Sequence, residues 1–228
     1  MSVSNFFFEV SPDITFCGID GRIIALDLEA DRYWALPATL GHMVYLAISE
    51  RGDTSALPVD LLAALRRQFN GHRGLFDEPK RLFVKRPARH LDLAPVERER
   101  NGGLAFAAVA SATIFARWLI RQKGIRAAVR HPLKYRSADP PKSQWDEIRS
   151  TVRAFNKWRG LVPIERRCLV DSLALQLMLA KEGLPVPLVI GVQANPFAAH
   201  CWLQSDDVVI DNELDAVRWF APLRAGMQ

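Results

Sequence analysis

The sequence predicts an α+β protein built from two domains, and three observations lead to that prediction. The N-terminal half begins with short extended runs and continues with amphipathic helical patterns. A charged stretch containing two prolines interrupts the chain near residue 90. The C-terminal half has the reverse order, because its helical patterns come first and its apolar extended runs come last.

The composition is that of a folded, soluble chain. Of its 228 residues 49% are hydrophobic and 24% charged, which is enough apolar material for a core. The most apolar stretch, 104–120, contains Arg117 and is shorter than the about 20 apolar residues that cross a bilayer, so it predicts a buried helix. Residues 1–11 lack the basic start of a signal peptide. We therefore expect a cytoplasmic protein without a membrane partner.

The cysteines and histidines are not spaced like the ligands of a metal site. Cys17, Cys168 and Cys201 are odd in number and contain no Cys-x-x-Cys pair, which argues against a disulfide framework and a cysteine zinc site. The histidines other than His200 show no metal-ligand spacing among themselves: His42, His72, His90 and His131. The sequence therefore predicts reduced thiols, no metal ion and no intrinsic cofactor, with Cys17 in the core.

The N-terminal domain, predicted over residues 1–86, begins with three strands. Extended runs at 14–20, 22–28 and 32–36 are joined by short turns, and they predict a three-stranded meander. A helix then begins at Pro37. A second helix places apolar residues on one face: Leu61, Leu62, Leu65 and Phe69. Strands followed by short helices resemble a winged helix-turn-helix, so we predict a winged-helix-like domain.

Basic residues cluster at the end of this domain. The cluster contains Arg66, Arg67, Arg73, Lys80, Arg81, Lys85, Arg86 and Arg89. Only Asp77 and Glu78 oppose these charges locally. Such a cluster is either a solvated face or a site for an acidic partner such as nucleic acid, and the sequence leaves both interpretations open.

Residues 87–101 predict a linker, because they are rich in charge, contain two prolines and show no periodicity. The C-terminal domain is predicted over residues 102–228. It opens with an apolar helix at 103–123 and continues with an amphipathic helix at 144–159.

The most informative segment begins at Cys168. Residues 168–180 predict a helix that ends at Gly183, so Cys168 lies at the helix N-terminus. Unpaired N–H groups and the helix dipole favour a negative charge there, and thiols in that position have pKa values lowered to about 3.5–7.5. Arg166 and Arg167 add positive potential. The pattern predicts that Cys168 is a nucleophile.

An antiparallel sheet is predicted after this helix, from extended runs at 186–192, 199–204 and 208–210. His200 lies near the start of the middle run. An imidazole facing a thiol takes its proton and later returns a proton to a leaving amine, which is the chemistry of a cysteine peptidase. Cysteine and histidine are also ordinary packing residues, so spacing alone leaves that interpretation open. Cys201 should point away from His200, and we predict a core position for it.

A third group must accept the other N–H of the imidazole. Asp211 and Asn212 compete for this role, and because strand side chains alternate, only one of them should point toward His200. An aspartate would hold an imidazolium electrostatically, whereas an asparagine would fix its orientation. The residues leave both open.

This part of the chain resembles a known family. The residues that carry the likeness are Arg167-Cys168-Leu169, Val189-Ile190-Gly191-Val192, Pro196-Phe197-Ala198-Ala199-His200-Cys201-Trp202-Leu203 and Val208-Val209-Ile210-Asp211-Asn212. They resemble the B proteins of lasso-peptide biosynthesis, which are transglutaminase-like cysteine proteases that remove the leader from a precursor peptide. The likeness is strongest over about 160–223.

The resemblance implies a papain/transglutaminase-like C-terminal domain with Cys168 as nucleophile and His200 as base. The family usually has an Asn-Asp pair where this chain has Asp211-Asn212, which puts Asn212 in the acid's place. The N-terminal domain would bind the leader as an added strand. Its candidate contacts are Tyr33, Trp34, Leu36, Leu62, Leu65, Arg66 and Phe69. For Tyr33 and Trp34, core packing is an equal alternative.

The resemblance also implies a partner, the asparagine-synthetase-like cyclase that closes the macrolactam with ATP. The chain contains neither a GxxxxGK[ST] nor a GxGxxG motif, so any ATP dependence is expected to come from that partner. Two other functions stay open. One is a DNA-binding winged-helix regulator, although no recognition helix stands out and we expect no nucleic acid. The other is a catalytically weak scaffold that delivers peptide to the cyclase.

Overall fold

A computed structural model describes residues 6–51, 59–69, 80–93, 102–131, 144–184 and 186–225. The chain divides into two compact units. The first contains Met1–Val84, Gly191–Ala199 and Trp219–Arg224, and the second contains Lys85–Ile190, His200–Arg218 and Ala225–Gln228. The α+β class with antiparallel sheets is confirmed.

The N-terminal segment of the first unit ends at Val84 rather than at residue 86, and the units differ from the predicted domain division in two further places. Residues 191–199 and 219–224 belong with the N-terminal unit, although the sequence assigns them to the second domain. Two contacts within the first unit account for this. The ring of Phe197 lies 5.6 Å from that of Tyr33, and Arg224 donates to the carbonyl oxygen of Pro12.

The N-terminal unit contains a five-stranded antiparallel sheet. Its strands are β1 (Phe6–Ser11), β2 (Ile14–Ile19), β3 (Arg22–Asp27), β4 (Arg32–Ala35) and β5 (Lys80–Phe83), in the order β4-β3-β2-β1-β5. Among the described strands, β4 and β5 are therefore the edges. Asp20 and Gly21 form the β2–β3 turn with φ of 48° and 72°, since a two-residue hairpin of this kind requires positive φ at both positions.

The sequence predicts β2, β3 and β4 but misses β1 and β5. In β1 the neighbouring Phe7 and Phe8 are both buried, so the strand is covered on both faces and lacks the alternation of a half-exposed strand. The sequence of β5, Lys-Arg-Leu-Phe, has two charges in four residues, which is common in short edge strands.

Two helices, α1 (Ala38–Arg51) and α2 (Val59–Gln68), pack on this sheet. The shared core takes alternate residues from the strands and one face of each helix: Phe8, Val10, Ile14, Phe16, Ile23, Ala25, Leu36, Val44, Leu61, Leu65 and Phe69. The rings of Phe16 and Phe69 lie 5.6 Å apart within it. Of the face predicted for α2, Leu61, Leu65 and Phe69 are buried.

The second unit contains three long helices that pack against one another, α3 (Gly102–Arg130), α4 (Trp145–Arg159) and α5 (Cys168–Lys181). A break at Gly124, whose φ is 77°, divides α3 near its end. α3 is long and apolar enough to cross a membrane, but core helices of soluble proteins also meet these two criteria. The prediction that it is buried is only partly correct, because Leu104, Ile114 and Trp118 are exposed.

A second sheet takes one strand from before these helices in sequence and four strands from after them. Its strands are β6 (Arg89–His90), β7 (Leu188–Gln193), β8 (Ala198–Ser205), β9 (Val208–Val209) and β10 (Ala221–Ala225), in the order β10-β7-β8-β9-β6, and a short helix α6 (Leu214–Val217) precedes β10. Two residues of the predicted linker therefore form a strand, β6. This strand pairs in parallel with β9, and the N–H of Leu91 donates to Val209.

Candidate active site

Cys168 is the first residue of α5, where the sequence predicts it. Arg167 precedes the helix in an extended conformation, and the N–H of Asp171 donates to the Arg167 carbonyl oxygen at 2.9 Å to close the first turn. The N–H groups before Asp171 have no acceptor within the helix. They face the same end as the exposed thiol and stabilise negative charge there.

The start of α5 is held in place by a fully buried arginine, Arg159 at the end of α4. Its Nε donates to Asp171 in the first turn of α5 at 2.8 Å. Its other nitrogens donate to the carbonyl oxygens of Ile164 and Glu165, at 3.0 and 3.2 Å. One side chain thus fixes both the loop that leads to Cys168 and the first turn that follows it. Arg159 is not among the residues predicted from the sequence.

The Cys168 thiol is held by Cys201 and His200. A side-chain hydrogen bond with Cys201 is the main cause that lowers the pKa of Cys168 to about 4. Burial works against this shift, while the hydrogen bond with His200, the Cys201 N–H and the charge of the imidazole add to it. The hydrogen bond with Cys168 raises the pKa of His200 in turn, and a hydrogen bond to Asn212 contributes. Opposite shifts of this kind favour a thiolate–imidazolium pair.

On the other side of the ring, Nε2 of His200 lies 2.9 Å from Oδ1 of Asn212. An imidazolium donates from both nitrogens, so Nε2 donates to Asn212 and the second nitrogen is left for the sulfur. The ring also stacks on buried Trp202, with centroids 6.2 Å apart and planes at 23°. Trp202 lies two residues after His200 on β8 and hence on the same face of the strand. The sequence spacing was therefore sufficient to predict that the two side chains are neighbours.

Asp211, the competing candidate, points elsewhere. Its carboxylate accepts hydrogen bonds from the Ser172 hydroxyl on α5, from the N–H of Leu203 on β8 at 2.8 Å, and from the Asn212 side-chain amide at 2.9 Å. Burial raises the pKa of Asp211, and these donors oppose the rise. Of the two neighbours, Asn212 therefore contacts the imidazole and Asp211 lies behind it. Ser172 was not predicted as a site residue. It lies four residues after Cys168, about one helical turn, and so on the same face of α5.

The two remaining cysteines differ from each other. Cys17 is fully buried on β2, and burial raises its pKa to about 12, as expected for a core residue. Cys201 is buried too, but the prediction that it lies away from the site is wrong. Its thiol and its N–H both contact Cys168, because α5 begins beside β8 at this position. The hydrogen bond with Cys168 raises the pKa of Cys201 well above its usual value.

The predicted leader contacts fall into two groups. Leu36, Leu65 and Phe69 are buried in the core of the N-terminal unit, where they pack against other core residues. Tyr33 and Arg66 are exposed, and Trp34 is partly buried with its ring 6.3 Å from that of Phe69. The side chain of Leu62 lies outside the described residues. Tyr33 on β4, whose ring meets that of Phe197, is the accessible aromatic residue of the predicted set.

Part of the basic cluster is neutralised within the second unit. Lys85 pairs with Asp206, and Arg89 pairs with Asp207 at 2.9 Å. Only two acids lie near these basic residues in sequence, whereas Asp206 and Asp207 lie more than 100 residues further along the chain. The charge available to nucleic acid is therefore smaller than the sequence predicts. In the described parts of the chain no three His, Cys, Asp or Glu side chains cluster as metal ligands.

The thiolate–imidazolium pair leads to a prediction for chemical reactivity. Because the pKa of Cys168 is lowered to about 4, its alkylation by iodoacetamide should stay fast from pH 8 down to pH 5. An ordinary thiol with pKa about 8.5 would lose about a hundredfold or more of its thiolate fraction over that range. Alkylation is measured at the Cys168 peptide by mass spectrometry. His200→Gln removes one stabilising partner and should move the profile toward higher pH; a profile that is identical in both proteins would contradict the pairing.

Comparison with known proteins gives one match. A family model described as the transglutaminase-like superfamily matches residues 109–225, which include α4, α5, the strand that carries His200 and the loop that carries Asn212. No curated protein and no solved structure matches the chain significantly.

Proposed function

Because the chain belongs to the transglutaminase-like superfamily, which includes cysteine peptidases, we propose that it is a cysteine peptidase. In this proposal Cys168 is the nucleophile, His200 its base and Asn212 the group that orients the imidazole. The observation that carries the proposal is the hydrogen-bonded series from the Cys168 thiol through the His200 ring to Asn212.

The proposed reaction follows from these contacts. The Cys168 thiolate attacks the carbonyl carbon of a peptide bond, and the N–H groups at the start of α5 stabilise the oxyanion. The His200 imidazolium gives its proton to the departing amine, which leaves an acyl-enzyme. The neutral imidazole then takes a proton from water, and the resulting hydroxide releases the acid and frees the thiol. Asn212 holds the ring in one orientation throughout.

The proposed substrate is the leader-bearing precursor of a lasso peptide, on the strength of the sequence motif around Cys168 and His200. The N-terminal unit would be the winged-helix-like leader-binding domain. In support, β4 is an edge of its sheet among the described strands and carries Tyr33, which is exposed. An edge strand offers free backbone groups to which an extended peptide adds as a further strand. The freed core would pass to an asparagine-synthetase-like cyclase in the cytoplasm, which supplies any ATP dependence.

The test is a cleavage assay with purified protein and a precursor peptide encoded by a neighbouring gene, read by intact mass. We expect two fragments whose masses add up to the precursor plus one water, from a cut at a single bond. A core peptide without its leader should stay uncut. Loss of precursor through many unrelated cuts would contradict a dedicated leader peptidase, and no cleavage with or without the cyclase and ATP would favour the scaffold role.

Leader binding to β4 is tested by a pair of matched substitutions on the two sheet edges. Tyr33→Ala on β4 should raise the Kd for the isolated leader about tenfold, as loss of an aromatic contact worth more than 1 kcal/mol does. Phe83→Ala removes an aromatic side chain that is 70% exposed on the opposite edge, β5, and should leave the Kd unchanged. Fluorescence anisotropy of a labelled leader gives both values. The reverse pattern would move the proposed binding edge to β5.

A further inference from the structure

The carboxylate of Asp211 touches neither the thiol nor the imidazole, yet it is held by three donors from three places in the fold. Its Oδ1 accepts the N–H of Leu203 at 2.8 Å and the amide of Asn212 at 2.9 Å. Its Oδ2 accepts the hydroxyl of Ser172, which lies one turn after the nucleophile on α5. A partly buried carboxylate with this many partners is fixed in position.

These contacts decide which way the Asn212 side chain faces. An asparagine amide has one oxygen that only accepts and one nitrogen that only donates. A carboxylate accepts only, so Asp211 must face the Asn212 nitrogen, and this turns the Asn212 oxygen toward His200. Because this oxygen only accepts hydrogen bonds, Nε2 of His200 must carry the proton that it donates. The second ring nitrogen is then free to exchange a proton with the Cys168 sulfur.

We propose that Asp211 is a positioning residue that acts through Asn212: it fixes the amide so that His200 keeps its proton on Nε2. The inference rests on the proposed function for its consequence in catalysis, but the orientation itself is measurable without any substrate. Asp211 also ties α5 to β8, since it bonds Ser172 and the Leu203 N–H at once. The same carboxylate therefore holds the two elements that carry Cys168 and His200 in register.

The direct test is the proton position on His200. In a Cys168→Ala background the imidazole is neutral at alkaline pH, and nitrogen NMR shifts report which ring nitrogen carries the proton. We expect the Nε2–H form with Asp211 present and a substantial Nδ1–H fraction in Asp211→Ala, where the Asn212 amide is free to turn over. The signal is assigned by its loss in His200→Gln. An unchanged proton position in a folded Asp211→Ala variant would overturn the proposal.

A second test uses nearly isosteric variants and avoids any loss of the fold. Asp211→Asn can still accept from Asn212 and Leu203, while its new amide donates to Ser172, whose hydroxyl lies 3.3 Å from the Cys201 carbonyl oxygen and can donate there. We expect Cys168 alkylation at pH 6 within about threefold of wild type. In an Asn212→Asp background the two carboxylates repel, so the same Asp211→Asn change should raise the rate about tenfold. An equal effect in both backgrounds would overturn the proposal.

These readouts separate the inference from the proposed peptidase. Iodoacetamide needs no peptide, so the alkylation rates stand even if the precursor is not a substrate. Asp206→Ala is the control, since it removes an exposed carboxylate from the β8–β9 turn and should leave the alkylation rate unchanged. In leader cleavage, Asp211→Ala should lower kcat and leave KM unaltered; a wrong tautomer costs up to about 10⁴-fold in serine proteases.

Discussion

Cys168→Ala is expected to abolish leader cleavage while leader binding stays at the wild-type level. The alanine keeps the start of α5, since it is a good helix former, and removes only the sulfur that attacks the peptide bond. Removing the nucleophile of a hydrolase of this kind lowers kcat by about 10⁶-fold, the largest effect that we expect for any substitution here. The measurement is precursor cleavage by intact mass, with anisotropy for the leader.

Cys201→Ala is the matched control for this experiment. It removes a buried thiol that contacts Cys168 but does not attack substrate. The pKa of Cys168 should rise toward its ordinary value, because its largest stabilising contact is lost, so cleavage should fall at acidic pH and recover as the pH rises. Cleavage by Cys168→Ala at the wild-type rate, or a complete loss in Cys201→Ala at every pH, would show that the nucleophile is misassigned.

Local signals were sufficient to place Cys168 at the start of a helix and His200 on a strand. A helical pattern that starts at Cys168 and stops at Gly183 is set by residues within a few turns, and α5 begins at that cysteine. The same is true of His200, which lies on β8 where an apolar extended run predicts a strand. Propensity and periodicity describe neighbours along the chain, and these two positions depend on little else.

The choice between Asp211 and Asn212 depends on information that the sequence does not hold locally. Both residues lie in the loop after β9, and which one faces the imidazole is decided by the contacts of Asp211 with Ser172 on α5 and Leu203 on β8. Spacing gave two equal candidates, and only the family resemblance placed Asn212 in the acid's position. In the structure the two side chains are hydrogen-bonded to each other, with the Asn212 amide against the imidazole and the Asp211 carboxylate behind it.

Long-range pairing explains the other differences. β6 is a strand because it lies beside β9, more than 100 residues later in the chain, and its sequence of Arg and His has no strand signal of its own. The Lys85–Asp206 and Arg89–Asp207 pairs form for the same reason. Charge counted along the chain therefore overestimated the number of basic side chains without an acidic partner.

Arg159→Met is expected to lower the free energy of unfolding by about 3–5 kcal/mol, the usual cost of removing one partner from a buried ion pair. Arg159 is fully buried, and its loss leaves Arg166, whose Nε lies 3.3 Å away, as the remaining ion-pair partner of Asp171 among the described residues. The carbonyl oxygens of Ile164 and Glu165 lose their donors at the same time. Urea unfolding followed by tryptophan fluorescence gives the value, with the wild-type m-value as the check that the same transition is observed.

Arg166→Met is the control, because Arg166 contacts the same carboxylate from a side chain that is 66% exposed. An exposed ion pair contributes little, so this variant should unfold within about 0.5–1 kcal/mol of wild type. Arg159→Lys keeps the charge but lacks the planar guanidinium that reaches three acceptors. Its free energy of unfolding should therefore lie between those of Arg159→Met and Arg166→Met. Equal losses for Arg159→Met and Arg166→Met would mean that the buried guanidinium does not anchor the start of α5. The position of the Cys168 thiol would then depend on α5 packing alone.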